Sequence, residues 1–153
     1  MASSAEASVL QGIRVLELGG EIGGWCGKLL ADMGATVTKI EPPEGDPTRA
    51  YEPFFDDQEG VNRSLYFWHY NTSKRGVTLN LESDRGRELF NELAESADVI
   101  VDSLPPGYLD SVDIGYQQIK TISPAVVMAS ITPFGQDGPF KDYATTDLTA
   151  LAF

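Results

Sequence analysis

The chain has 153 residues, which suffices for one α/β core but rarely for two domains. Its 11 Lys and Arg against 23 Asp and Glu give a net charge of −12, which argues against nonspecific binding to nucleic acid or to an anionic membrane. One cysteine, Cys26, excludes an internal disulfide framework, and one histidine, His69, excludes a histidine-rich metal site. The start lacks the features of a signal peptide and no apolar run is long enough for a membrane span, so we expect a flexible tail over residues 1–9 and a cytoplasmic protein.

The first half of the chain predicts a strand, a glycine turn, a helix and a second strand. Residues 13–18 are apolar and β-branched, as in a buried strand, and the sequence GGEIGG follows at once. Residues 25–33 carry apolar side chains at helical spacing and end at Gly34, a candidate left-handed C′ residue. The second strand is predicted at residues 36–40. The stretch 41–66, rich in proline and acidic residues, predicts a long loop that is functional or held by a partner.

The second half repeats the alternation of strand and helix. Strands are predicted at residues 77–81, 99–101 and 125–131, with a helix capped by Ser83 between the first two and a helix at residues 115–122 before the third. This alternation predicts an α/β fold with a parallel, right-handed, doubly wound sheet.

The carboxyl-terminal residues 147–153 begin an apolar, helix-like run that stops without a cap or polar tail. We therefore expect a single domain over residues 10–153 that is truncated at this end. A short terminal helix docked on the core is the alternative.

Four turns marked by glycine or charge, GGEIGG, NTSKRGV, DSLPPG and FGQDGP, are interpreted as ends of strands, where ligands of open α/β sheets bind. Glycine at a helix start allows a phosphate to approach backbone N–H groups. However, Glu21 stands where a dinucleotide fingerprint needs glycine, although Glu41 occupies the place of a ribose-binding acid. A simple strand-to-helix turn is therefore favoured over an NAD site.

The second turn carries Asn71, Lys74 and Arg75 after the aromatic run at residues 66–70. Two adjacent cations suit a phosphate and an aromatic ring suits a stacked base, but a solvated loop over an aromatic core is the favoured alternative. The turns DSLPPG and FGQDGP are either ligand-facing or purely structural.

Taken in order, the segments LQGIRVLELGG, GGWCGKLLADMGATVTKIEPPEGDPTR, SLYFWHYNTSKRGVTLNLES, ADVIVDSLPPGYLDSVDIGY and SPAVVMASITPFGQDGPFKDYATTDLTALAF resemble the class III CoA-transferase family. That family includes formyl-CoA and carnitine CoA-transferases and α-methylacyl-CoA racemases. The resemblance covers residues 10–153 and implies the first third of a typical member. It also implies a Rossmann-like, CoA-binding domain of an intertwined homodimer.

In the transferases of this family, a carboxylate attacks the acyl-CoA thioester, giving a mixed anhydride and then an enzyme-bound CoA thioester that a second acid accepts. The resemblance places the nucleophilic aspartate beyond Phe153. Asp147 matches a commonly acidic position, with a helix N-cap as the favoured alternative. Thr146 replaces the histidine of the racemases, which favours a transferase.

The resemblance also implies which positions contact CoA. These are Gly23, Gly24, Asn71, Lys74, Arg75, Ser103, Leu104, Pro106 and Gly107. Ser103 and Leu104 replace the usual Asn-Phe, Ser111 replaces a basic residue, and Pro42 stands where some members place an adenine-stacking arginine.

The favoured hypothesis is the CoA-binding part of an acyl-CoA:carboxylate CoA-transferase, inactive alone. The alternatives are a racemase-like enzyme, a noncatalytic CoA-binding half of a split enzyme, and, less favoured, an NAD-dependent oxidoreductase. The expected partners are acyl-CoA, a carboxylic acid, and a second copy or a complementary chain. Nucleic acid, membrane, metal and a covalently bound cofactor are not expected.

Overall fold

The computed structural model describes residues 8–152, in which five strands form one sheet. The strands are β1 (Arg14–Leu18), β2 (Thr36–Glu41), β3 (Arg75–Thr78), β4 (Val99–Asp102) and β5 (Val127–Ser130). All pair in parallel, in the order β3-β2-β1-β4-β5. In the register of the central strands, Val15 faces Val37 of β2 on one side and Val99 of β4 on the other. The predicted α/β class with a doubly wound parallel sheet is confirmed.

The helices are α1 (Glu21–Asp32), α2 (Leu65–Asn71), α3 (Asp84–Ala94), α4 (Tyr108–Ser111), α5 (Tyr116–Ile122) and α6 (Asp147–Ala152). Two short 3₁₀ turns, Pro47–Ala50 and Phe55–Asp57, lie between β2 and α2. None of the helices in the described part of the chain is long and apolar enough to cross a membrane.

The core has two layers because successive residues of a strand point to opposite faces of the sheet. Val15 and Val37 pack on one face in a cluster that includes Ala31 of α1. Leu16 and Ile40 face the other way, in a cluster that includes Phe90 of α3 and residues of α5. Glu17 and Lys39 therefore point towards α1, which places charged side chains in the layer beneath it.

Helix α1 begins at Glu21 rather than at residue 25. Gly23, Gly24 and Gly27 are buried helical residues, so the GGEIGG sequence is only partly a turn. A Cβ atom on Gly23 would lie 2.7 Å from Ser103 Oγ, and one on Gly24 would lie 3.7 Å from the Tyr70 side chain. These glycines let α1 approach its neighbours closely, and their density concealed the first turn of the helix.

The stretch 41–66 is more ordered than a long loop. Asp46 caps the first 3₁₀ turn, and the Ser64 hydroxyl accepts a hydrogen bond from Phe67 N at the start of α2. The aromatic run itself forms α2, which the sequence did not predict because aromatic residues favour strands.

Strand β3 begins at Arg75 and ends at Thr78, earlier than the predicted strand at residues 77–81. The prediction that NTSKRGV follows a strand is therefore wrong. Asn71 ends α2 and Lys74 directly precedes β3.

Two further predictions, the left-handed residue after α1 and the cap of α3, are confirmed, and the predicted cap at Asp147 is wrong. Gly34 has φ +100° after α1, and the Ser83 hydroxyl accepts from Gly86 N at the start of α3. At α6, Thr146 Oγ1 accepts from Thr149 N at 3.3 Å, so Thr146 rather than Asp147 occupies the capping position. Residues 1–7 of the predicted tail and Phe153 lie outside the described residues.

Candidate functional site

A cavity of about 540 Å³ opens at the carboxyl ends of β1, β2, β3 and β4. Chain order reverses between β1 and β4, and ligands of such sheets bind at this switch point. The lining residues are Leu18, Gly19, Gly20, Ile40, Pro42, Pro43, Glu44, Asp46, Pro47, Leu79, Asn80, Leu81, Glu82, Ser103, Leu104, Pro105 and Tyr108. The position of the cavity, rather than any single residue, marks it as the candidate site.

The wall between β1 and β4 is made by backbone in close contact. Gly19 has φ +92°, and a Cβ atom there would collide with Ser103. The Ser103 hydroxyl and backbone N–H both donate to the carbonyl of Leu18, at 3.2 and 3.0 Å. Glycine is thus required at position 19 both by the left-handed conformation and by the approach of the β4 turn.

The opposite wall is the segment after β2, whose three prolines stiffen it. Among the described lining residues, the acidic side chains are Glu44, Asp46 and Glu82, and none is a lysine or an arginine. Apolar side chains such as Leu79 and Leu81 make much of the floor. The cavity therefore suits an uncharged, partly apolar group better than a phosphate.

A buried group of four charges lies beneath the turn after β1. Lys39 Nζ is 2.7 Å from Gly19 O, 2.7 Å from Asp46 Oδ2 and 3.2 Å from Glu17 Oε1. Lys74 Nζ is 2.7 Å from Glu17 Oε2 and 2.9 Å from Gly24 O. Two ammonium groups and two carboxylates thus compensate one another. We call Glu17, Lys39, Asp46 and Lys74 the charge quartet.

Burial raises the pKa of Asp46, but the charge of Lys39 and hydrogen bonds from Lys39 and Thr48 outweigh it, so the pKa lies below its ordinary value. Burial also lowers the pKa of Lys74, which the Glu17 hydrogen bond and charge partly oppose. The ion pairs therefore stabilise the charged forms in a place where burial disfavours them.

A second ion pair holds the segment after β2. Arg49 donates two hydrogen bonds to the carboxylate of Glu41, at 2.6 and 2.8 Å, and its guanidinium lies 3.8 Å from the ring centre of Phe67. The backbone N–H of Asp46 also donates to Glu41 at 3.0 Å. The hydrogen bond from Arg49 is the largest cause of a pKa of Glu41 below its ordinary value.

The predicted CoA contacts fall into separate places. Ser103 and Leu104 line the cavity. Gly107 lies at a second, smaller cavity of about 200 Å³, where its N–H donates to Gln136 Oε1 at 3.1 Å and so joins the DSLPPG and FGQDGP turns. Pro106 lies between these two groups in the chain, beyond the lining of either cavity.

Asp102 also lines the smaller cavity, and burial is the main cause that raises the pKa of this carboxyl. It accepts hydrogen bonds from Leu104 N at 2.9 Å and from the Ser130 hydroxyl at 3.3 Å, both of which lower the pKa in part.

The other predicted contacts do not reach the larger cavity. Gly23 and Gly24 are inside α1, and Asn71 Oδ1 accepts from Lys74 Nζ at 3.1 Å beneath that helix. Arg75 is exposed at the start of β3. A role of these residues in CoA binding stays a prediction. The partners that the structure gives Lys74 are Glu17, Gly24 and Asn71.

Sequence reasoning missed the contribution of the segment after β3. Leu79, Asn80, Leu81 and Glu82 line the cavity, whereas the sequence predicts a strand as far as Leu81 and no role for Glu82. Asn80 Oδ1 accepts from Glu82 N at 3.0 Å, a local turn that asparagine favours. Asn80 is therefore the residue from which the sequence could have indicated that the strand ends before it.

Comparison with known proteins shows one family. The sequence profile of the family described as CoA-transferase family III matches residues 10–153. The chain is 42% identical over 139 residues to succinyl-CoA:(R)-benzylsuccinate CoA-transferase subunit BbsE of Thauera aromatica, covering 91% of this chain and 34% of that protein. It is 39% identical over 142 residues to succinate–glutarate CoA-transferase of Agrobacterium fabrum, covering 90% of this chain and 36% of that protein.

The solved structures give the same result. A crystal structure of a CaiB/BaiF family protein from Brucella suis superposes with a TM-score of 0.84 at 38% identity, covering 92% of this chain and 38% of that one. The chain thus spans about a third of the length of the curated relatives it matches, 34% and 36% in these two cases.

Proposed function

Because this chain belongs to CoA-transferase family III, we propose that it is the CoA-binding part of an enzyme that moves CoA between carboxylic acids. The relatives are named as CoA-transferases of different acids, so the CoA donor is an acyl-CoA and the CoA acceptor is a carboxylate. The reaction proposed is the family sequence of mixed anhydride and enzyme-bound CoA thioester.

The observation that carries this proposal is the cavity across the switch point between β1 and β4. Its largely apolar lining suits the uncharged adenine ring of CoA, whose phosphate groups would lie away from the carboxylates of Glu44, Asp46 and Glu82. Ser103 and Leu104 are proposed contacts supported by their place in the lining. For Arg75 and the other predicted contacts the proposal rests on the resemblance.

The proposal assigns the nucleophilic carboxylate to no residue of this chain, because the resemblance places it after Phe153. Asp147 lies in the first turn of α6 and is exposed, which gives it no buried setting for nucleophilic catalysis. We therefore expect CoA binding without CoA transfer from the 153-residue chain alone.

A second copy or a complementary chain is the proposed macromolecular partner, in the cytoplasm. Large apolar side chains are exposed on α1 and directly after it: Ile22, Trp25 and Leu29 on the helix, and Met33 at its C-cap. Such a surface favours association, which places it against protein rather than water. Light scattering after size exclusion measures this, and a monodisperse monomer of 16.6 kDa would contradict it.

Isothermal titration with CoA, and separately with NADH, tests the ligand. We expect binding of CoA and weaker or no binding of NADH. Pro105→Trp, at an exposed position of the lining, narrows the cavity and should weaken CoA binding by about tenfold or more, about 1.4 kcal/mol.

Pro124→Trp is the matched control, since Pro124 is exposed and outside the cavity lining. Tight binding of NADH without CoA would replace the proposal with a dinucleotide enzyme. Equal CoA affinity in both variants would move the site away from this cavity.

A further inference from the structure

The ammonium group of Lys39 joins the two walls of the larger cavity. Its side chain is 3% exposed, and its Nζ contacts Gly19 O on one wall and Asp46 Oδ2 on the other, each at 2.7 Å. Gly19 and Asp46 both line the cavity, whereas Lys39 does not. Lys39 therefore does not touch the cavity itself and acts on it only through its contacts with Gly19 and Asp46.

The burial of this cation makes its position well determined. The Glu17 carboxylate is fully buried and lies between Lys39 and Lys74, so each ammonium has a compensating charge. Breaking one such pair leaves an uncompensated charge in a buried place, which is strongly unfavourable. Rearrangement of Lys39 would thus remove a buried ion-pair partner from both Glu17 and Asp46.

Two side chains of β2, Lys39 and Glu41, hold the segment that forms the wall after β2. Lys39 and Glu41 are alternate residues and point to the same face of the sheet. Glu41 holds the segment through Asp46 N and Arg49, as described above. Lys39 adds a link across to the turn after β1, just beyond Leu18 and Ile40, where the pairing of β1 with β2 ends. It therefore sets the distance between the two walls beyond the sheet.

We propose that Lys39 is a positioning residue that fixes the width of the CoA cavity. The inference rests on the proposed function, since it takes CoA as the occupant of that cavity. Loss of the Lys39 ammonium frees the Gly19 turn and the segment 42–47 to move apart, and CoA affinity falls because the bound geometry is no longer formed in advance.

Lys39→Met keeps the length of the side chain and removes its charge. Hydrogen exchange of the purified 153-residue chain, without ligand, should become faster at residues 19–20 and 42–48. CoA affinity measured by titration should fall about tenfold or more. Circular dichroism confirms that the variant is folded.

Two controls separate positioning from general instability. Val37→Ala alters the same face of the same strand and removes buried apolar atoms outside the cavity lining. It should lower the melting temperature while leaving exchange at residues 19–20 and CoA affinity near the wild-type values. Lys120→Met removes the same charge from an exposed site on α5 and should change neither.

Wild-type affinity in Lys39→Met, or an equal loss of affinity in Val37→Ala, would overturn the inference. If the wild-type chain binds no CoA, the proposed function fails, and hydrogen exchange alone decides on Lys39. Unchanged exchange in the two segments then refutes the positioning role, and faster exchange there supports it.

Should Lys39→Met not fold, Asp46→Asn breaks the same link from the other wall. It is expected to give faster exchange at residues 42–48 and weaker CoA binding. Unchanged values in that variant count against the inference.

Discussion

Gly27 lies in the middle of α1, directly above the Glu17 carboxylate. A Cβ atom at this position would collide with Glu17 Oε2 and lie 3.2 Å from Lys74 Nζ. Gly27→Ala therefore displaces a buried, ion-paired carboxylate, and we expect it to lower the free energy of unfolding by about 1–3 kcal/mol. Urea denaturation followed by circular dichroism measures this.

Gly24→Ala is the matched comparison on the same helix. Its Cβ atom would lie 3.7 Å from Tyr70, an ordinary contact distance, so the higher helix propensity of alanine should raise the unfolding free energy by roughly 0.5–1 kcal/mol. If both variants were destabilised alike, the packing over Glu17 would not be the reason that Gly27 is required.

Asp102 presents the opposite case, a carboxylate whose burial is unfavourable. Because its pKa in the folded chain is raised, ionisation costs stability above that pKa, and the cost disappears as the pH falls below the ordinary value of 3.8. Asp102→Asn keeps an acceptor for Leu104 N and should therefore raise the urea midpoint at about pH 7, with a gain that shrinks towards about pH 3. A gain that is the same at both pH values would exclude ionisation as its cause.

At the scale of elements, the helix caps Ser64 and Ser83 should differ in how much they contribute to the free energy of unfolding. Ser64 is almost fully buried; its hydroxyl accepts from Phe67 N and contacts the carbonyls of Thr48 and Tyr51, at 3.0 and 2.6 Å. Ser64→Ala removes the cap of α2 and leaves buried carbonyl groups without this donor, so we expect a loss of about 2 kcal/mol or more.

Ser83→Ala is the comparison, because Ser83 caps α3 in a half-exposed setting where water replaces its bonds. Its loss should be about 1 kcal/mol. Thermal melts of both variants rank the two caps, and an equal or larger loss in Ser83→Ala would show that the tie between α2 and the preceding 3₁₀ turn adds nothing.

Elements whose local signals agree with their tertiary setting were predictable from the sequence. The strand before GGEIGG and the helix capped by Ser83 carry both the apolar pattern and the boundary residues. Helix α2 was not predicted, because its aromatic residues favour strands, whereas in the structure the Ser64 cap begins a helix that packs against α1. The early start of α1 was hidden for a similar reason, since glycines required by packing look like a loop.

The candidate site, too, was predictable only where local sequence patterns define it. Ser103 and Leu104, which follow a correctly predicted strand, were expected to contact the ligand and line the cavity. The residues after β3 were missed because the strand ends at Thr78, three residues before the predicted end at Leu81. The burial of Lys74 beneath α1 depends on contacts far apart in sequence, such as that with Glu17, which local patterns do not contain.

At the scale of the whole molecule, acid should destabilise the chain through its ion-paired carboxylates. The pKa of Glu41 and that of Asp46 lie below their ordinary values of 4.5 and 3.8, so their contribution to stability is complete above those values and is lost as the pH falls through the lower, folded-state pKa. The urea midpoint should therefore fall steeply between about pH 5 and about pH 3.

Glu41→Gln identifies the source of that loss. Glutamine resembles the protonated carboxyl, so the variant should be less stable than the wild type at about pH 7, and the gap should narrow as acid protonates Glu41 in the wild type. Asp137→Asn, in the exposed FGQDGP turn, changes the net charge equally and should follow the wild-type curve. A gap between Glu41→Gln and wild type that persists unchanged at about pH 3 would place the acid sensitivity elsewhere, because the bidentate bond from Arg49 requires the ionised carboxylate.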